Sequence, residues 1–307
     1  MIPFLKYKKI YFILSGTLVL ASLVSLIIFG LKPGIDFVGG SILEIEYEEE
    51  RPSSQEIKEL LADFDLDQIQ VQSSGKTGVI LRMKDISEET HQEIIKKLGK
   101  NQKIEELRFE TIGPVIGREL KQKTKIVAIL AVLAILIYIT FAFRKVSRPI
   151  ASWQYGVASL IALFHDVFIP LGVFSVLGNF YGVQITIPII TALLTVFGYS
   201  INNTVVVFDR IRENLIHSHT KGFSGGANFE EIVDKSLNQT LTRSLNTSLT
   251  TLFVLFAIFF FGGETLKYFA LALIIGLTCG TYSSVCLASP MLVSWLRKRR
   301  RAIEKRP

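Results

Sequence analysis

Cysteine, methionine and tryptophan are scarce in this 307-residue chain, at two, three and two residues. With 22 glycines and nine prolines it also lacks the composition of a collagen or a low-complexity chain, and two cysteines exclude a disulfide scaffold. Cys279 and Cys286 fall in one apolar segment that reads as helix. Seven helical residues span about 10.5 Å, beyond the roughly 7 Å between Cα atoms that a disulfide tolerates, so the two thiols pack as small apolar side chains. Nucleotide fingerprints, metal-ligand spacings and catalytic-triad signatures are missing as well, so the expectation is no enzyme, no cofactor and no metal site.

What the chain has in quantity is apolar surface. Hydrophobic residues make up 49% and the mean hydropathy is +0.41, too oily for an ordinary soluble enzyme. Against this stands a net charge of +7, from 34 Lys and Arg and 27 Asp and Glu. A basic balance fits nucleic acid or the cytoplasmic loops of a membrane protein, and the placement of the charges decides between them.

Runs without Asp, Glu, Lys, Arg or His mark six spans, since about 20 apolar helical residues cross a hydrocarbon core. The first is Ile10 to Leu31 and reads as an uncleaved anchor; the second is Ile126 to Phe143. Between Pro149 and Phe208 only His165 and Asp166 interrupt, and Gly178-Asn179-Phe180-Tyr181-Gly182 divides a third span from a fourth. The fifth runs from Ser244 to Gly263 and the sixth from about Tyr268 to Leu296. Lys6, Lys8, Lys9, Arg144, Lys145, Arg148, the basic residues of a loop at 209–243 and those of a tail at 297–307 all lie on one side, whereas the short opposite loops carry only Lys267. That side is cytoplasmic by the positive-inside rule and holds both termini. The charge is therefore a topology signal in a lipid bilayer, with no nucleic acid partner expected.

Residues 32–125 are too polar for the membrane and form an extracytoplasmic domain. Ser41 to Tyr47 alternates as a strand. Ser53 or Ser54 caps a helix, Ile69 to Gln72 and Gly78 to Met83 make a hairpin, Ser87 caps a second helix, and Arg108 to Ile112 is a last strand. The order β-α-β-β-α-β predicts an α+β ferredoxin-like sandwich. The fold class is thus a mainly α membrane protein of six transmembrane helices, with this domain between the first and second. Its segments are 1–31, 32–125, 126–296 and 297–307.

Polar residues inside spans cost about 2.5 to 3.5 kcal/mol each on insertion scales and draw attention as functional candidates. His165 and Asp166 sit midway along the third span. Asp166 is either paired to a neighbouring helix or a proton-coupling group, and His165 either a packed hydrogen-bonding side chain or its partner. Asn202 and Asn203 interrupt the fourth span, and Asp209, Arg210 and Arg212 follow at its cytoplasmic edge, as a solvated helix end or a conformational element. Arg243, Asn246, Thr247 and Thr250 share one arc of about 100° on a helix, a stripe suited to protein or water; Arg243 alone could snorkel. Gly276 and Gly280 give the G-x-x-x-G spacing of close helix contact.

Gly34-Ile35-Asp36-Phe37-Val38-Gly39-Gly40 resembles the G-x-D-F-x-G-G signature of the SecD/SecF translocase family. Gly198-Tyr199-Ser200-Ile201-Asn202-Asn203, continuing to Asn214, resembles the SecF branch, as do Ser236 to Ser244, Phe261-Gly262-Gly263 and Gly280 to Ser284. The resemblance implies one six-span half of a resistance-nodulation-division (RND) type fold in the bacterial inner membrane. It also implies a SecD-like partner, and use of the proton motive force to complete translocation of preproteins through the SecYEG channel. Proton coupling in the family would involve the positions of Asn203 and Arg243. The family's usual Asp stands here as Asn203, which hydrogen-bonds but does not titrate. Other readings are half of an RND-type small-molecule proton antiporter, or a scaffold subunit that conducts no protons.

Overall fold

The structure is a computed structural model that describes residues 2–66, 69–143, 150–220 and 227–304. The predicted cytoplasmic residues Arg144, Lys145, Arg148, Lys221, Lys305 and Arg306 lie outside these. Among the described residues six helical stretches are long and apolar enough to cross a membrane: Phe4–Phe29, Pro114–Ala142, Ser152–Tyr181, Ile187–Ser218, Phe229–Phe261 and Leu266–Lys298. The chain divides into two compact units, one made of 1–32, 127–183 and 188–307, the other of 33–126 together with 184–187.

The helical unit contains α1 (Lys8–Phe29), the apolar part of α5 (Pro114–Ala142), α6 (Ser152–Tyr181), α7 (Ile187–Thr220), α8 (Ala227–Phe261), α9 (Gly263–Ser283), a π-helical turn (Ser284–Ala288) and α10 (Ser289–Glu304). About half of the apolar window is buried in α6, α7 and the α9–α10 stretch (50%, 44% and 56%), against 17%, 6% and 17% in α1, α5 and α8. The first three therefore form the centre and the others its rim. The rim exposes Ile13, Leu20 and Ile27 of α1, Ile129 and Ile137 of α5, and Phe253 and Phe260 of α8. Such faces suit lipid, where every backbone group must be satisfied inside its own helix.

Without a hydrophobic drive between helices in lipid, small residues and hydrogen bonds hold the bundle. A Cβ on Gly172 of α6 would sit 2.5 Å from that of Ser22 of α1, and one on Gly276 of α9 would sit 2.3 Å from a methyl of Val196 of α7. Ser175 donates to the Gly30 and Ser25 carbonyls at 2.6 and 3.0 Å. An aromatic knot of Phe143, Tyr155 and Phe208 packs with Phe4, Leu5, Phe229 and Leu292 at one end. The expected loop at 209–243 is instead mostly helix: α7 continues to Thr220 and α8 begins at Ala227. Asn214 ties the two by bonds to Ser236 and Gln239 at 2.8 and 2.9 Å.

The second unit contains α2 (Ile35–Val38), β1 (Gly40–Tyr47), α3 (Ser54–Leu60), β2 (Gln70–Ser74), β3 (Gly78–Met83), α4 (Glu88–Leu98) and β4 (Ile104–Ile112). All pairings are antiparallel in the order β2-β3-β1-β4. Ser53 caps α3 in a capping box with Glu56, and Ser87 caps α4. Leu43, Ile45, Tyr47, Leu81, Ile57 and Ile94 meet in the core. The last strand starts at Ile104, four residues before the expected Arg108. Arg108 pairs with Glu44 but Glu106 with Ile45, so Leu107 is bulged and half exposed, and the bulge breaks the alternation that would have betrayed the strand. Helix α5 reaches back to Pro114 through Glu119 and Lys123, an i,i+4 ion pair at 2.7 Å.

Candidate functional site

Three central helices converge on Asp166. Its Oδ2 accepts from Ser200 of α7 at 2.5 Å and from Ser283 of α9 at 2.7 Å, and its Oδ1 meets His165 Nδ1 at 2.8 Å. All four residues are buried, Asp166 completely. The approach depends on Gly280, where a Cβ would stand 3.2 Å from that of Ser200 and 3.5 Å from Asp166 Oδ2. His165 stacks on Tyr282 at 5.9 Å, whose hydroxyl bonds Ser15 and the Tyr11 carbonyl of α1. Among the described residues His165 Nε2 has no hydrogen-bond partner. A carboxylate fed by two hydroxyls beside an imidazole with a free nitrogen is an arrangement that can take up and pass on a proton.

The SecF-like segment of α7 divides its residues between faces. Ser200 points to Asp166; Tyr199 donates to Ser248 of α8 at 3.1 Å, and Ser248 bonds Thr281 at 2.6 Å. Asn203 is buried, and among the described residues its amide nitrogen has no partner; Gly198 and Asn202 are exposed. Arg243 is exposed too and shares no bond with Asn203. Asn246, Thr247 and Thr250 are exposed beside it, with Thr247 donating to the Arg243 carbonyl. The structure therefore joins His165, Asp166 and Ser200 but leaves the Arg243 stripe facing outward from this chain. At the helix end Arg210 bonds Gln239 of α8 at 2.7 Å and Glu213, while Arg212 pairs with Asp209 at 3.3 Å. Ser283 and Tyr282 entered the sequence reading only within the family-like run Gly280 to Ser284, with no site role given to either. The signal was present, since Gly276, Gly280 and Ser283 share one helix face at i, i+4 and i+7.

The glycine signature lies in the second unit. Gly34 donates to the Ile185 carbonyl at 2.7 Å, and Asp36 Oδ2 accepts from the Ile187 amide at 2.9 Å. Burial pushes the Asp36 carboxyl above the ordinary carboxylate range, and the Ile187 bond opposes that shift. Phe37 is buried. Gly39 and Gly40 take φ of 84° and 137°, and Cβ atoms there would strike Pro114 at 2.7 Å and the Met83 carbonyl at 2.6 Å.

The family profile of the protein export membrane protein SecD/SecF C-terminal region matches residues 91–298, and that of the SecD/SecF GG motif matches residues 24–50. The chain belongs to the SecD/SecF family. Protein translocase subunit SecF of Thermobaculum terrenum is 41% identical to it, covering 97% of this chain and 95% of the relative. That of Anaerolinea thermophila is 37% identical over 96% and 94%. Protein translocase subunit SecDF of Thermus thermophilus is 35% identical over 94% of this chain. A crystal structure of SecDF, a translocon-associated membrane protein from the same organism, superposes with a TM-score of 0.81 at 32% identity, over 96% of this chain. This SecD/SecF family chain spans 38% of that SecDF structure. It is a multi-pass protein of the protein-transport class, with six spans and a small antiparallel sheet.

Proposed function

We propose that this chain is the SecF-like half of a Sec accessory complex. It works with a SecD-like subunit to use the proton motive force in completing preprotein translocation through SecYEG. The observation that carries this reading is the exposed stripe of Arg243, Asn246, Thr247 and Thr250 on a membrane helix. Charged and hydroxyl groups in a span face protein or water, not lipid, and a second six-span half supplies such a surface. The match of the chain to only 38% of SecDF supports the same division of labour.

In this reading the termini are cytoplasmic, as the loop charges indicate, and the second unit is an extracytoplasmic ferredoxin-like domain that contacts the emerging chain. The β2-β3-β1-β4 order and the β-α-β-β-α-β sequence of elements support that assignment. Asp166 with His165 takes the proton-coupling role on this chain, and the partner's carboxylate opposite Arg243 takes the rest, because Asn203 does not titrate. The scaffold reading draws its support from that same Asn203.

Purification from the membrane is expected to bring down a second, SecD-like chain, and a stably solitary protein contradicts the proposal. Late-stage preprotein release, with and without a proton gradient, tests coupling. Asp166→Asn is expected to slow the gradient-dependent part; if it and Asn203→Asp both leave that part unchanged, this chain is a scaffold.

A further inference from the structure

Strand β4, an edge of the sheet, carries a bulge that the export role does not use. Side chains alternate along a regular strand, so Glu106 and Phe109, three residues apart, would project from opposite faces. The extra residue at Leu107 cancels that alternation. Phe109 lies opposite Leu43 and Glu106 opposite Ile45, both on the face that packs against the helices. The bulge thus delivers a carboxylate to the margin of the core.

There it meets His91 of α4, whose side chain is only 4% exposed. The imidazole stacks on Phe109 with ring centroids 3.7 Å apart and planes 2° from parallel. Nδ1 bonds Glu88 Oε1 at 3.2 Å, and Nε2 stands 3.3 Å from Glu106 Oε2 as a contact of charges without hydrogen-bond alignment. Both ring nitrogens therefore face a carboxylate. A neutral imidazole has one N–H, which leaves the lone pair of its other nitrogen against an oxygen anion, whereas an imidazolium presents an N–H on both sides. Gln92 and, after it, His91 hold the Glu88 carboxyl below the ordinary range, so Glu88 is an anion wherever an imidazole exchanges its proton.

The surrounding charges are turned away or occupied. Glu105, Arg108 and Glu110 of β4 stand opposite Glu46, Glu44 and Ile42, on the other face of the sheet. On the helix-facing side β1 offers Leu43, Ile45 and Tyr47, and α3 offers Ile57. On α4 itself Glu89 and Glu93 are exposed, and Lys97 pairs with Asp63 at 2.6 Å.

We propose that His91, Glu88 and Glu106 form a proton-operated pin that fastens α4 to edge strand β4, closed when the imidazole is charged and loosened when it is neutral. The contact is then strongest at low pH and weakens as pH rises through the imidazole range. Its use rests on the export reading above: with this unit on the outer side of the membrane, the pin answers to the acidity that the proton motive force maintains there.

Hydrogen exchange on the full-length chain in nanodiscs reads the pin without any export assay, so its failure and that of the export role are told apart. After correction for the intrinsic pH dependence of exchange, residues 91–98 are expected to be about 2- to 5-fold better protected at about pH 5 than at about pH 8, as for partly exposed ion pairs. His91→Gln, which keeps a polar side chain without a titrating ring, is expected to abolish the difference. Glu106→Gln, which keeps the ring and removes one anion, is expected to reduce it, and this partly exposed position remains informative should the buried His91→Gln not fold. NMR of the histidine-labelled chain is expected to show the His91 ring and the protection of α4 titrating together. Equal protection of the parent at the two pH values overturns the proposal, as does a difference that survives at full size in Glu106→Gln. If the His91 ring titrates and residues 91–98 do not follow, the imidazole is buried without pinning anything and the proposal also falls.

Discussion

Gly276→Ala is the smallest change that tests how the central helices are held. The new methyl would sit 2.3 Å from one γ-methyl of Val196, 2.9 Å from the other and 3.1 Å from its Cβ. Val196 is fully buried, and a β-branched side chain in a helix has essentially one χ1 rotamer, so it cannot turn aside. Restoring an ordinary carbon contact of about 3.5 Å requires α7 and α9 to part by about 1.2 Å. Overpacking of this kind costs about 1–3 kcal/mol. Parting also lengthens the Ser200 and Ser283 bonds to Asp166, since Gly280 one turn away holds the same interface. Val196→Ala removes two methyls and costs about 1.5 kcal/mol alone, but it clears the space the alanine needs. The double variant is therefore expected to be more stable than the sum of the singles predicts by about 1 kcal/mol or more. Denaturation of the purified chain in mixed micelles, followed by Trp153 and Trp295 fluorescence, measures all four corners of the cycle. Effects that add within about 0.5 kcal/mol would refute the close-packed interface.

Three further outcomes are expected. Asp166→Ala removes the acceptor for Ser200, Ser283 and His165 and should destabilise the bundle by about 2 kcal/mol, at roughly 0.6 kcal/mol per buried membrane hydrogen bond; Asp166→Asn should cost less, and equal losses would mean the hydrogen bonds contribute nothing. Arg243→Leu should weaken recovery of the second chain yet leave the denaturation midpoint of the isolated chain within about 0.5 kcal/mol, as for other surface changes, because the stripe is exposed; a large midpoint shift would place Arg243 inside the chain's own packing. In the sheet unit two carboxylates give opposite pH dependence. Glu56, held below the ordinary range by the Ser53 amide and hydroxyl, adds stability above the usual carboxylate pKa of about 4 that is lost as pH falls. Asp36, raised mainly by burial, adds stability below that value that is lost as pH rises through its raised pKa. Glu56→Gln should flatten the first limb and Asp36→Asn the second, read as urea midpoints across a series of pH values, each equilibrated sample being labelled in a deuterium pulse.

The six spans were legible because long stretches without charge have few alternatives in water. The capped helices of the sheet unit were legible because Ser53 and Ser87 act on donors three residues away. What stayed hidden depended on geometry across the chain. The start of β4 was masked by the bulge at Leu107, and the bond from Asp36 to Ile187 joins residues that no local pattern relates. Asp166 stood out as a membrane carboxylate, but its serine partners lie on two other helices. Asn203 and Arg243 stood out as polar residues of apolar spans, and their separation follows from facing: one is turned into the bundle and the other out of it.

The π-helical turn at Ser284–Ala288, pinned by Ser289 donating to the Ser284 carbonyl at 3.0 Å, has a consequence for chain length. A π turn holds one residue more than the α turn it replaces. Deleting any one residue within it would restore an ordinary helix while Leu292 and Val293 kept their orientation in the bundle. The same deletion at Ile275 would swing Gly276, Gly280 and Ser283 by about 100° relative to the preceding part of α9. Relatives one residue shorter are therefore expected to have lost it at this turn, and not in the helix before it.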